Sequence, residues 1–274
     1  MSVQISTLID ELSILPEQSS ATMQLLRLLD DPDADAKDIV PVIEADPSMT
    51  ARLLTLANSA FFGLKTHASN VWSAVMVVGF NVVRALATTG GLGLSDPRPG
   101  AMPEGYWSHA VASGAAASTV AKRIGVRASD AFSAGLLHDL GAALLYRAAT
   151  ERYIEAQVDR GGITYFDLHA EVRIMGAGHD AVGAAVLEQL YFPTILVNAV
   201  RDHHLHPDDI SDTMTRIVSA GISLTETRLT PSCTQPAAEH LAAAMRALDL
   251  PEEPDDELLD QLDREVADLR AMLG

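Results

Sequence analysis

Apolar positions along the chain recur at helical spacing, and no sustained alternating run of β-branched residues calls for a sheet. The pattern predicts an all-α protein of short helices joined by tight turns. In EADPSMTARLLTLANSAFFG, Met49, Leu53, Leu56 and Ala60 fall on one face. Asp46 is a natural N-cap, Pro47 suits the first helical position and Gly63 is placed to end the helix. Upstream, Leu25, Leu28 and Leu29 have core spacing before a turn at Asp31 and Pro32, and AKDIVPVIEA supplies a further short helix. Downstream, Val71, Ala74, Val75 and Val78 line a helix broken at Gly79, with Asn81 able to cap the next.

Glycine and proline in GGLGLSDPRPGAMPEG, residues 90–105, mark a boundary. The expected organisation is an N-terminal helical lobe over residues 1–100, a second helical lobe over 101–229 and a C-terminal helical extension over 230–274. The second lobe opens with YWSHAVASGAAASTVAKRIG, whose small residues allow close helix contacts. In the final helix Leu258, Leu262, Val266, Leu269 and Leu273 form a stripe of barely two heptads, which favours packing on its own domain over a coiled coil. The acidic residues opposite read as a solvated face. No internal repeat of solenoid length is evident.

Composition sharpens this picture. With 274 residues and 48% hydrophobic content, the chain can bury a substantial core. It shows no basic leader before an apolar run and no apolar stretch of bilayer length, so a soluble, cytoplasmic protein is expected. A formal charge of −18 argues against a general binder of nucleic acid or of anionic membrane. Much of that charge lies in residues 251–274, where nine acidic residues oppose Arg264 and Arg270. A single cysteine, Cys233, excludes an intrachain disulfide and a cysteine-based zinc cluster, so any metal site must be built from histidine and carboxylate.

The histidines carry the candidate chemistry. AGLLHDLGAALL places His138 and Asp139 side by side in an apolar stretch, where burial costs about 1–3 kcal/mol or more unless a metal or hydrogen-bond partner compensates. His109, His179 in GAGHDAVGAAVL, and His203 with His204 in RDHHLHPDD lie on other segments, and such groups can converge on a bundle interior. Neighbours on one helix are about 100° apart, so His138 and Asp139 reach a common ion only near the helix edge. Taken singly, a histidine is more often structural than a ligand, and His203 and His204 also suit an exposed or helix-capping role. The set is more specific. His67, His169, His206 and His240 fit no pattern.

These residues resemble the HD superfamily of metal-dependent phosphohydrolases, in which a histidine, a His-Asp pair, further histidines and a late aspartate hold one or two metal ions. The first half, ILPEQSSATMQLLRLLDDPDADAKDIVPVIEADPSMTARLLTLANSAFFG, is similar to the opening of the HDOD family. With AGLLHDLG, GHDAVGAAVL and HH, the resemblance runs from about Leu12 to Asp209. It implies a two-lobed all-helical fold, an N-terminal lobe packed on an HD-like lobe, used in bacterial signalling as an output or regulatory module. Carried over residue by residue, it implies metal ligands at His109, His138, Asp139, His179 and His203 or His204, for Mn, Fe, Zn, Mg or Ni.

Two departures point away from an enzyme. The late aspartate would fall after Ala220, where the chain has Gly221, and the lysine that follows the pair in the subgroup degrading cyclic dinucleotides is replaced by Ala142 after Gly141. That subgroup's GYP element is also absent. Glu171, Asp180 and Asp202 are candidate substitute ligands. The expected function is a stand-alone, non-catalytic HDOD module acting through a protein partner or a small ligand. The alternative is a metal-dependent phosphohydrolase for phosphoesters or cyclic nucleotides, with a metal-generated hydroxide. A third reading makes the protein a scaffold whose acidic C-terminal helix recruits partners. No receiver, GGDEF-like or kinase segment is recognisable, so the unit is expected to act in trans on a signalling protein.

Overall fold

Aspartates set the first turns of the N-terminal helices. The computed structural model of the chain describes residues 2–11, 21–63, 67–94, 102–103, 105–159, 164–229 and 234–273. It begins with α1 (Ser2–Glu11), α2 (Ala21–Asp30), α3 (Ala36–Glu44) and α4 (Pro47–Ala57). Asp35 caps α3 through the Lys37 amide, while the Asp38 side chain accepts from the Asp35 amide to complete a capping box. Asp46 accepts from the amides of Ser48 and Met49 at 2.9 and 3.1 Å, with Pro47 opening α4 as expected. On α2, Met23, Leu25, Leu26 and Leu29 are buried, and Leu28 is half-buried.

Helix α4 ends at Ala57, before Ala60 and Gly63. Ala60–Phe62 instead forms a separate 3-10 turn, followed by Gly63 at φ +61°. Side-chain bonds interrupt the helix here: the Ser59 hydroxyl donates to the Leu56 carbonyl at 2.7 Å, and the Asn58 amide pairs with both backbone groups of Ala68. Next come α5 (Val71–Val78) and α6 (Phe80–Gly91), which meet at 108° across Gly79. Gly79 stands at φ +83°, a left-handed value that glycine adopts without strain. Asn81 does not cap α6; its side chain donates to Asp130 at 2.8 Å. No single described helix is long and apolar enough to cross a membrane. The bent α5–α6 pair passes only by length and composition together, and its Val71, Val75, Val78, Val82 and Val83 are core residues.

The remaining elements are α7 (Tyr106–Arg123), α8 (Ala128–Leu137), α9 (Leu140–Ala148), α10 (Thr150–Ile154), β1 (Gln157–Asp159), β2 (Thr164–Phe166), α11 (Leu168–Met175), α12 (His179–Gln189), α13 (Thr194–Asp202), α14 (Thr213–Leu229), α15 (Thr234–Ala247) and α16 (Asp256–Leu273). The hairpin, with Gln157 opposite Phe166, departs from the strand-free expectation; three-residue strands are too short to show alternation. Helix α7 packs on α8, α14 and α16. At its crossing with α8, a Cβ added to Gly114 or Gly135 would lie 3.0 Å from the Phe132 carbonyl or 2.7 Å from that of Ser113. The two backbones come together because neither residue has a side chain.

Helix α16 buries Leu258, Leu262, Val266 and Leu269 on its own chain, against α7, α4 and the 3-10 turn; the Leu273 side chain lies outside the described residues. Its acidic face is only partly solvated. Glu265 accepts from Lys122 at 2.8 Å and from Thr119 at 3.1 Å, Asp263 pairs with Arg228, and Asp255, just before the helix, takes both arms of Arg123. Glu265→Ala should cost about 1 kcal/mol, because it leaves Lys122 without this acceptor while the Thr119 hydroxyl keeps the Ala115 carbonyl; urea unfolding measures it. An unchanged midpoint would mean the pair adds nothing.

Candidate metal centre

His138 and Asp139 lie between two helices, not within one. Helix α8 ends at Leu137, α9 begins at Leu140, and the pair occupies the intervening turn with Asp139 at φ −96°, ψ +17°. This break removes the 100° restriction of a continuous helix, so both side chains face the same centre. The His138 ring contributes to the break as well: its Nδ1 lies 2.7 Å from the Gly135 carbonyl, a group that the ended helix would otherwise leave open. His203 repeats the device after α13, with Nδ1 2.7 Å from the Val200 carbonyl. Because a carbonyl only accepts, both rings carry their proton on Nδ1 and turn the Nε2 lone pair inward.

The Asp139 carboxylate stands among these nitrogens. Its Oδ2 is 3.1 Å from His138 Nε2 and 3.6 Å from His109 Nε2 on α7. Its Oδ1 is 3.3 Å from His179 Nε2, at the start of α12, and 3.8 Å from His203 Nε2. His204 Nε2 lies 2.8 Å from His179 Nε2, and His109 Nε2 lies 3.2 Å from His138 Nε2. His138, Asp139, His179 and His203 are buried, His109 is half-buried and His204 is exposed. Five histidines and one aspartate from four segments thus converge as two ligand groups, His109–His138–Asp139 and His179–His203–His204.

Glu171 does not join them. It is fully buried behind His179, where Oε2 accepts from both the backbone N–H and Nδ1 of His179 at 2.7 Å and Oε1 accepts from the Tyr153 hydroxyl. A carboxylate behind a ligating imidazole fixes its tautomer and raises its basicity. Tyr153, itself buried, was not foreseen; nothing in its sequence neighbourhood points to the role. Asp180 accepts from the Ala181 amide at 2.7 Å, and neither it nor Asp202 enters a ligand group among the described residues. Gly221 is a packing contact, not an emptied ligand position. A Cβ there would lie 2.6 Å from the Ala117 amide nitrogen, and Ala117 is eight residues, about 12 Å along α7, from His109.

Electrostatics agree with a site made for positive charge. Burial alone would raise the Asp139 carboxyl, but the surrounding imidazoles, His138 first, hold it well below the usual carboxylate range. Burial opposes protonation of His179, yet the Glu171 hydrogen bond and the Asp139 charge raise it. His203 is driven well below its ordinary value by burial and then by the neighbouring histidines. Its Nε2 is buried and has no hydrogen-bond partner among the described residues. Such an orphaned lone pair is costly unless an ion satisfies it.

Ligand spacing fits too. Two donors about 2.1 Å from one ion in tetrahedral or octahedral array lie roughly 3.0–3.5 Å apart, within the span observed around Asp139. The residues therefore fit a divalent cation. Glu171→Gln should weaken metal affinity about 10–100-fold while leaving the ligands in place, measured by competition with a chelating dye. Unchanged affinity would show that Glu171 serves only to cap α12.

The HDOD domain matches residues 15–206. The chain belongs to the HDOD family. Helices α14 to α16 lie beyond the matched residues of this HDOD protein. An uncharacterized protein of Treponema pallidum (strain Nichols) is 29% identical over 208 residues, 74% of this chain. The chain spans only 40% of that relative's length. Among solved structures, a candidate phosphohydrolase from Shewanella amazonensis SB2B superposes with a TM-score of 0.70 at 19% identity, covering 97% of this chain and 98% of the other. An HDOD domain protein of unknown function from Geobacter sulfurreducens gives 0.65 at 20% identity, covering 99% and 97%. At such identities the likeness establishes the shared helical fold.

Proposed function

We propose that this HDOD protein is a signalling module that holds a divalent metal ion at the His109–His138–Asp139–His179–His203 centre and acts by binding a protein partner or a small ligand, without hydrolysis. The observation carrying the metal is the buried His203 Nε2, 3.8 Å from Asp139 and without a hydrogen-bond partner among the described residues. Two features speak against turnover. Among the described residues the ligand groups contain one carboxylate, Asp139, and none from α14, so little negative charge offsets the ion. The position after Gly141 is the buried Ala142, which offers no cation to charge developing on a phosphoryl group.

The experiment is elemental analysis of untagged protein beside a His138→Ala/Asp139→Ala variant, before and after supplying Mn, Fe, Zn, Mg or Ni, followed by a phosphomonoester and phosphodiester screen of the loaded protein. Near-stoichiometric Mn or Fe, lost in the variant and without turnover, is the expected result, with Zn or Ni falling by one equivalent. Metal-free protein that cannot be loaded would sink the metal centre. Turnover abolished by the double substitution would instead favour a phosphohydrolase, a reading supported by the half-buried His109 and exposed His204, which leave the centre within reach of a substrate oxygen.

A further inference from the structure

His206 and His240, which fit no pattern in the sequence, come together outside the centre. His206 caps the 3-10 turn Pro207–Asp209, His240 lies within α15, and their ring centroids are 5.9 Å apart with planes at 76°. A neighbour holds one nitrogen of each ring. His240 Nε2 is 3.0 Å from the Ser219 hydroxyl, and His206 Nδ1 is 3.3 Å from the Asp208 amide and 3.6 Å from its carboxylate. No described residue bonds the other nitrogen of either ring, Nδ1 of His240 or Nε2 of His206; because the Asp208 amide donates to Nδ1, the neutral His206 ring carries its proton on Nε2 and must shift it to Nδ1 to take a ligand there.

The two supports are anchored on one helix. Ser219 belongs to α14, and so does Arg216, whose guanidinium donates to the Ile210 carbonyl at 2.9 Å and to the Ala247 carbonyl at 3.1 Å. Those bonds tie the end of the 3-10 turn and the end of α15 to the same frame. The rings are thus brought together before any ligand arrives, which lowers the ordering cost of binding.

We propose that His206 and His240 form a second, surface site for an imidazole-preferring divalent ion, Zn²⁺, Ni²⁺ or Cu²⁺, distinct from the Asp139 centre. Paired imidazoles select these ions over Mg²⁺ or Ca²⁺, which take oxygen ligands. With the proton moved to Nδ1, the Asp208 carboxylate 3.6 Å away suits the orienting role that acids play behind ligating histidines. Burial, then the nearby His206, lowers the protonation of His240, which keeps its lone pair available at neutral pH. A bound ion would bridge α15 to the loop that follows His203 and His204, the last ligands of the inner centre.

Zinc binding by equilibrium dialysis tests this in the His138→Ala/Asp139→Ala protein, with and without His206→Ala or His240→Ala. The background protein is expected to retain one zinc, and either further substitution to weaken it ~10-fold or more, with no Mg²⁺ retained. A background that binds no zinc, or residual zinc indifferent to both substitutions, would overturn the proposal. Should the background variant fail to fold by circular dichroism, the comparison moves to wild type against His206→Ala, an exposed position whose replacement spares the core. One fewer zinc equivalent is then expected, and equal stoichiometry refutes the site.

Discussion

Asp139→Asn should leave the helices intact and abolish metal binding at the centre it joins. The asparagine keeps the shape of the side chain and removes the charge that faces Nε2 of His109, His138, His179 and His203 at 3.1–3.8 Å. Since loss of an outer carboxylate already costs 10–100-fold, loss of the carboxylate shared by both ligand groups should cost ~1,000-fold or more. The clearest measurement is thermal, with Mn²⁺ as the ion: wild type should gain about 2.7 kcal/mol of stability at a Mn²⁺ concentration 100 times Kd, and the variant none. Equal metal-induced shifts in the two proteins would place the ion elsewhere.

Gly141→Ala should destabilise the protein by about 3 kcal/mol or more, at the upper end of overpacking. An added Cβ at this position would stand 2.0 Å from the His179 carbonyl and 2.7 Å from the Gly183 amide. Both obstacles are backbone, so α9 and α12 must separate to admit a methyl group. His179 is the first residue of α12 and would move with it, so metal affinity should fall along with stability. A chemical denaturation curve read beside a metal titration separates the two losses. Retained stability would show that the helices can slide apart freely at this crossing.

The same crossing shows what the sequence conceals. Amphipathic spacing and the caps Asp46–Pro47 gave the helices, because each depends on residues within a few positions of one another. The convergence of His109, His138, Asp139, His179 and His203 was legible as a list of ligand-type residues in an apolar setting. Gly141 read only as the place of an absent lysine's neighbour, since its contact with His179 spans 38 positions of sequence. Asn81 misled for a related reason: a capping side chain found Asp130, on α8, instead of its own helix. Gly221 read as a lost ligand because sequence order carries no direction, and the fold turns that position toward Ala117. Glu171 had the right chemistry and stands one layer further out, behind the imidazole it supports.

His138 and His203 each close a helix with Nδ1 while presenting Nε2 to the centre. The fold would thus retain both histidines even if the ion were abandoned, because replacing either by alanine uncovers a carbonyl at a buried helix end. Among relatives, then, the HD dipeptide's histidine is a poor witness to metal. Asp139 closes no helix by its side chain and offsets no backbone group in this way, so a drift to neutral residues there would register the loss of the ion sooner than any change at the histidines.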